Sequence, residues 1–127
     1  MLNRVYEFNE KVVGVKPRAL KTLAPSEHKW LVKCLREEAT EFECSHNTVD
    51  MVDALLDSVI FSLGGLYRLG LTKEQAYKCF DAIMDANFEK KAGQKPGRVV
   101  GEVKDAVKPE GWVGPEDRIS KVLYGKN

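Results

Sequence analysis

An all-α fold with an irregular C-terminal tail is predicted by three observations. Apolar residues recur at three- and four-residue intervals over residues 26–44, 49–69 and 73–88. The middle segment is apolar on more than one face, as expected of a central, nearly enclosed helix. After residue 92, Gly93, Pro96, Gly97, Gly101, Pro109, Gly111, Gly114 and Pro115 deny the chain regular helix. The expected architecture is a single domain, a helical core over 1–92 with an arm over 93–127. Its four-helix bundle is completed by oligomerisation.

The elements follow in chain order. Leu2, Val5, Tyr6, Phe8, Val12 and Val13 predict a first helix ending near Gly14. A Pro/Lys loop runs through Pro17 and Pro25, and Ser26 is the expected N-cap of a second helix to about Cys44, with Trp30, Leu31, Cys34, Leu35, Ala39 and Phe42 as its stripe. Residues 45–48 make a short turn. The third helix, from about Val49 to Leu69, carries Val52, Leu55, Leu56, Val59, Ile60, Leu63, Leu66 and Tyr67. Gly70 stops it, and Thr72 with Gln75 forms a capping box for a fourth helix from Lys73 to about Phe88. On that helix Ala76, Cys79, Phe80, Ile83, Met84 and Asn87 share a face. In the arm, one strand pair is expected around Arg98–Val107 and a last helical turn over Glu116–Leu123.

Composition narrows the function classes. The 127 residues are 43% apolar and 31% charged, the balance of an ordinary globular protein. With a net charge of +1 there is no overall electrostatic case for nucleic acid or membrane as a partner. The longest apolar segment, Ala54 to Leu69, is interrupted by Asp57, Ser58, Gly64, Gly65 and Arg68, which marks a core helix and no membrane span. Cys34, Cys44 and Cys79 are odd in number and lack CxxC spacing, so reduced thiols and a cytoplasmic location are expected.

Charge is distributed unevenly. Seven acids, Glu37, Glu38, Glu41, Glu43, Asp50, Asp53 and Asp57, fall in a stretch without Lys or Arg. From Phe88 onward nine Lys or Arg outnumber six acids. Glu37, Glu38 and Glu41 are three and four positions apart on one helix, and Asp50, Asp53 and Asp57 repeat the pattern on the next. Each such like-charged pair costs roughly 0.2–0.5 kcal/mol, so a structural helix gains nothing by concentrating them. If the two helices form an antiparallel hairpin, Glu41 and Asp53 come level near the turn at about 1.5 Å per residue, and Glu38 and Asp57 one turn further on. An acidic row alone is commonly a solvated face. Two rows at matched depth predict a site for a hard divalent cation, Mg²⁺ with Mn²⁺ as a substitute.

The arrangement resembles the all-α nucleoside triphosphate pyrophosphohydrolases, the MazG-like superfamily that includes phosphoribosyl-ATP pyrophosphohydrolase. The family pattern is EExxE on one helix and ExxD on the next. Glu37-Glu38-Ala39-Thr40-Glu41 fits the first element, and Asp57 with Ser58-Val59-Ile60-Phe61 is similar to the end of the second. Asn87-Phe88-Glu89-Lys90 matches the family's NxxK. Ala54 stands where the pattern has Glu, with Asp53 as the natural substitute, holding metal through water. The run Lys104 to Pro115, with Lys108-Pro109-Glu110-Gly111-Trp112, resembles the tail of bacteriophage members of the MazZ type, which act on dGTP.

The resemblance implies a cytoplasmic enzyme (host cytoplasm if phage-encoded) that converts a (deoxy)nucleoside triphosphate to the monophosphate and pyrophosphate with two or three Mg²⁺ ions. Glu38, Glu41, Asp53 and Asp57 are the expected ligands, and Glu37 a further ligand or the base. Lys90, Lys91, Lys95 and Arg98 are expected on the phosphates, Asn87 on the sugar or base, and Phe8, Asn9 and Trp112 around the base. A homodimer or homotetramer is expected from apolar residues left uncovered on the third helix, notably Phe61, Leu66 and Tyr67. Two other readings remain open: phosphoribosyl-ATP hydrolysis, and a non-catalytic acidic helical module for a basic partner.

Overall fold

Pro25 has its φ preset for a helix and no N–H to leave unpaired, so it opens the second helix at the first helical position. Ala24, not Ser26, is therefore the cap, and it makes no side-chain bond. This start belongs to a computed structural model that describes residues 1–125. Among the described residues the chain is mostly helical: α1 (Leu2–Phe8), α2 (Pro25–Glu43), α3 (Thr48–Arg68), α4 (Lys73–Phe88) and α5 (Glu116–Tyr124), with strands β1 (Lys91–Gly93) and β2 (Asp105–Val107). No helix is long and apolar enough to cross a membrane. Contacts divide the chain into two compact units, Met1–Lys73 and Glu74–Asn127.

In the first unit, α1 widens into a π-helical turn, Asn9–Val13, and stops at Gly14, whose φ of 83° is left-handed. The start of α3 is fixed by Asn47. Its side chain accepts a bond from the Asp50 N–H at 2.9 Å and donates to the Asp50 carboxylate at 2.8 Å, a reciprocal cap. Asp50 is thus spent on the helix end. Pairs between α2 and α3 run in antiparallel order. Glu27 meets Arg68 at 2.6 Å, Trp30 meets Phe61 edge-on at 6.2 Å, and Glu38 and Glu41 meet Asp57 nearest the turn.

Two glycines let the helices close. A Cβ on Gly65 would lie 2.7 Å from the Leu31 side chain of α2, and one on Gly64 would lie 3.1 Å from the Asn9 amide. On the α1 side, Tyr6 and Tyr67 stack edge-to-face at 4.9 Å. Their hydroxyls donate to Leu71 O at 2.9 Å and Val15 O at 2.7 Å.

The connection from α1 to α2 is tied to the end of α3. The Lys21 N–H donates to Leu69 O at 3.0 Å, and Arg18 donates to Arg68 O at 3.2 Å. Arg18 also grips Glu27 with both terminal nitrogens, at 2.6 and 2.8 Å, while Arg68 stacks 4.4 Å from the Trp30 centroid. The Arg18 hydrogen bond, then that of Arg68, pull the Glu27 carboxyl down to about 2, against the opposing effect of burial. Its stabilising contribution is in place above the usual carboxylate range and is lost as pH falls toward 2.

The expectation that α3 is nearly enclosed is corrected. Its buried residues are Ala54, Gly64, Gly65 and Tyr67. Val52, Leu55, Leu56, Val59 and Ile60 form an exposed stripe, Leu55 being 52% exposed, whereas Tyr67 is 6% exposed. The close contacts to α1 and α2 gather at the glycine-bearing C-terminal half, so coverage is concentrated there.

In the second unit α4 buries Ala76, Cys79, Ala82 and Ala86, and leaves Phe80 and Ile83 exposed. The strand pair forms, with a different first strand from the one expected: β1 pairs antiparallel with β2, Lys91 opposite Val107 and Gly93 opposite Asp105. Gly93 permits the closure, since a Cβ there would sit 2.9 Å from the Val107 side chain. Arg98 lies in the connection between the strands. The tail is anchored where the Trp112 indole N–H donates to Ala86 O at 2.7 Å.

Gly70 and Gly14 give a test of the loop's placement. Both have left-handed φ (88° and 83°), but a Cβ on Gly70 would lie 2.5 Å from the Ala19 carbonyl oxygen, and one on Gly14 would meet nothing within 4 Å. Gly14→Ala should cost about 1–2 kcal/mol in urea unfolding. Gly70→Ala should cost at least ~2 kcal/mol more, as a backbone collision adds to the strain. Equal losses would show that residues 19–20 do not pack on Gly70.

Candidate metal centre

Glu38 lies on α2 between the Glu27–Arg68 pair, which ties α2 to the end of α3, and the four-residue connection that leads to the Asn47-capped start of α3. Carboxylate oxygens of Glu38, Glu41 and Asp57 lie within 4.8 Å of one another. Oxygens about an octahedral Mg²⁺, with bonds of about 2.1 Å, stand roughly 3–4.2 Å apart. Movement of about 1 Å would therefore bring this triad to ligating distance.

The burial is graded: Glu38 is buried, Asp57 partly so and Glu41 exposed. One oxygen of Glu38, Oε2, is buried with no hydrogen-bond partner. A buried anionic oxygen without a donor is costly. Burial first, then the hydrogen-bonding contact and charge of Glu41, then the charges of Asp57 and Asp53, push the Glu38 carboxyl up to about 7. Asp57 is raised by burial and by Asp53 and Glu41. An orphaned oxygen, three crowded carboxylates and an all-oxygen donor set fit a hard divalent cation such as Mg²⁺ or Mn²⁺. Near neutrality a proton serves the same end in part.

The other expected site residues divide into groups. Asp53 is exposed and outside the triad, though its charge raises both Glu38 and Asp57. Glu37 is exposed and faces an open groove of about 700 Å³ on α2, which it shares with Lys33, Arg36, Thr40 and Glu41. Glu41 therefore borders both the triad and the groove. Asn9 is buried and donates its amide to Val5 O at 2.9 Å. The cavity it shares with Phe8 is about 80 Å³, room for two or three waters. Phe8 also borders a wider apolar groove of about 560 Å³ with Leu56, Val59, Ile60 and Leu63.

Asn87, Lys90, Lys91, Arg98 and Trp112 belong to the second unit. Asn87 closes α4, its carbonyl accepting from the Lys90 N–H at 3.0 Å. Lys91 is exposed at the start of β1. Arg98 is paired with Asp105 at 3.0 Å. The Trp112 ring is flanked by the Lys90 and Lys108 ammonium groups, 4.8 and 4.9 Å from its centroid. With its N–H used by Ala86 and two cations against its ring, Trp112 serves the tail as an anchor. Lys108 stands in the tail run of the resemblance, but no role was expected of it, since its place beside Trp112 depends on strand register.

No protein-family model and no curated protein matches the sequence.

The raised Glu38 carboxyl gives a signed prediction for stability in a chelator. The folded state holds a proton there that the unfolded chain releases at ordinary carboxylate pH, so Glu38 lowers stability progressively from about 4.5 to about 7. Glu38→Gln should raise the melting temperature above pH 7, and the gain should vanish below about 4.5. A gain independent of pH would show that Glu38 does not titrate late.

Proposed function

We propose that the protein is a metal-dependent nucleotide pyrophosphohydrolase of the MazG-like kind, acting on a (deoxy)nucleoside triphosphate. The observation that carries this reading is the convergence of Glu38, Glu41 and Asp57 around an oxygen with no donor. Phosphoryl transfer needs charge neutralisation at the phosphates more than covalent help from the protein. Two or three Mg²⁺ or Mn²⁺ ions would supply Lewis acidity toward the phosphates and toward water.

In this reading Glu38, Glu41 and Asp57 would hold the metal, and Asp53 would add negative charge beside them. Glu37, exposed beside Glu41, takes the proton of the attacking water. Water oxygen bonds to the α-phosphorus, the bond to the bridging oxygen breaks, and nucleoside monophosphate and pyrophosphate leave. Lys90, Lys91 and Arg98 are side chains of the kind that binds phosphate oxygens, and Asn87 carries an amide of the kind that meets sugar or base; all four belong to the second unit. Phe8 supplies apolar surface. dGTP is the first substrate to try, and the cytoplasm the expected location.

The exposed stripe of Val52, Leu55, Leu56, Val59 and Ile60 supports a second part of the proposal, a homodimer or homotetramer in which α3 completes a four-helix bundle. These residues replace Phe61, Leu66 and Tyr67 as the interface.

Each dNTP incubated with Mg²⁺ or Mn²⁺ should yield monophosphate and pyrophosphate for at least one base. Glu38→Gln and Glu41→Gln should each lower kcat by a factor of about 10² or more with the fold intact. Release of inorganic phosphate alone would count against this reaction, and no turnover with only weak, salt-screened Mn²⁺ uptake in calorimetry would favour the partner-binding module instead. For the assembly, sedimentation should show a dimer or larger, and Leu55→Glu should shift it toward monomer. A monomer in the unmodified protein would refute the oligomer.

A further inference from the structure

The last turns of α2 and α4 hold acids and no base, the arrangement that a helix dipole disfavours. On α2 the cations Lys29, Lys33 and Arg36 come first, and Glu37, Glu41 and Glu43 follow. On α4 Lys73 and Lys78 come early, Asp81 and Asp85 follow, and Glu89 stands directly after the helix. Neither order stabilises the helix that carries it. Laid antiparallel, the two orders complement each other.

Lys29, Lys33 and Arg36 stand four and three positions apart, over about 10 Å of helix, on the side of α2 turned away from Glu38. They line the open groove of about 700 Å³, and every side chain that lines it belongs to α2. No described element covers this face. Asp81, Asp85 and Glu89 stand four apart over about 12 Å, away from the buried Ala76, Cys79 and Ala86. All six charged residues are exposed, and none is in an ion pair among the described residues. Exposed Tyr77 and Phe88 flank the acids, and Val32 lies among the cations.

The amount of open surface calls for more than one covered face. The chain exposes 9575 Å², where two separate compact bodies sharing its 14.3 kDa would expose about 8,200 Å² in all. The surplus, roughly 1,400 Å², exceeds the ~800 Å² that each partner gives to one standard interface. The proposed α3 contact would use one such patch.

From these charges we infer that α2 of one copy packs antiparallel on α4 of a second copy, with Lys29 opposite Glu89, Lys33 opposite Asp85 and Arg36 opposite Asp81. The contact is made twice within a pair of copies, as a two-fold axis requires. A lone exposed ion pair contributes little, but here three stand in a row, with Val32 and the rings of Tyr77 and Phe88 supplying apolar cover between them. Charge also fixes the direction: a parallel pairing would bring Lys29 and Lys33 beside Lys73 and Lys78. The inference is separate from the catalytic reading, and rests on the proposed assembly only in joining α3-linked dimers into a tetramer.

Sedimentation of the full chain tests it. Lys33→Glu with Arg36→Glu, and separately Asp81→Lys with Asp85→Lys, should each halve the sedimenting mass while circular dichroism stays unchanged. One chain carrying all four changes should recover the mass. So should an equimolar mixture of the two variants, in which every α2 can meet an α4 of opposite sign. If a reversed chain does not fold, Lys33→Gln with Arg36→Gln should still weaken association at least about fivefold, as the loss of two exposed pairs requires. Salt raised from about 0.05 to about 0.5 M should weaken the unmodified assembly in the same way.

Unchanged mass in both reversed variants overturns the inference. So does recovery in the fourfold chain without recovery in the mixture, which would place the pairing within one copy. Mass lost on reversing α2 but kept on reversing α4 overturns it too, since the basic face would then serve another acidic partner. Leu55→Glu separates the two contacts: it should stop at a dimer that salt splits. A monomer there leaves the α3 contact standing and sinks this one, whereas a mass that ignores Leu55→Glu but falls on charge reversal sinks the α3 contact alone.

Discussion

The register of α2 against α3 is the constraint on which the candidate site depends. At one end Glu27 is held by Arg18 and Arg68, with Arg68 laid over Trp30. At the other, Asn47 and Asp50 lock the first turn of α3 four residues after α2 ends. The Glu27 ion pairs and the short connection hold the two helices in register, and Gly65 lets Leu31 press close. Glu38, Glu41 and Asp57 are therefore crowded together whether or not their charges favour it. The lowered carboxyl of Glu27 and the raised carboxyl of Glu38 are two results of one geometry. One acid has gained cations and the other has gained acids.

A near-zero net charge conceals this arrangement. The first unit gathers acids on facing helices, and the second gathers lysines around one indole. Each cluster is unfavourable by itself, and each is maintained by contacts that carry little of its charge: helix packing in one case, hairpin register and an aromatic ring in the other. Local like-charge crowding that the fold enforces is a stronger pointer to a ligand than any whole-chain balance.

Much of this was legible in the sequence. Gly14 ends α1 because only a left-handed residue fits there, and the Lys73–Phe88 helix has its expected bounds. Helical rise and a short turn put Glu38 level with Asp57, as they lie, but also put Asp53 level with Glu41, and Asp53 stands outside the triad. The failures share a cause. Ser26 as a cap, the strand partner of β2, the exposed stripe of α3 and the place of Lys108 all depend on which of several compatible neighbours a residue meets. Helical period marks an apolar face but does not say whether another element covers it. Val52 and Leu55 carry the same signal as the half of α3 that α1 and α2 cover. Pro25 rather than Ser26 sets the start because its φ is fixed near the helical value and it has no N–H to leave unpaired at the first helical position.

The connection between α1 and α2 bears on digestion. By composition it is an inviting target for trypsin, with Arg18 and Lys21 in a segment of prolines and no helix. Cleavage requires several residues to be drawn out into an extended strand in the protease cleft. Here the Lys21 amide, the Val15 carbonyl and the Arg18 side chain are all bound to neighbours in the first unit. Scission after Arg18 or Lys21 must wait for those bonds to open, so nicking there would report the opening of the α3 terminus itself.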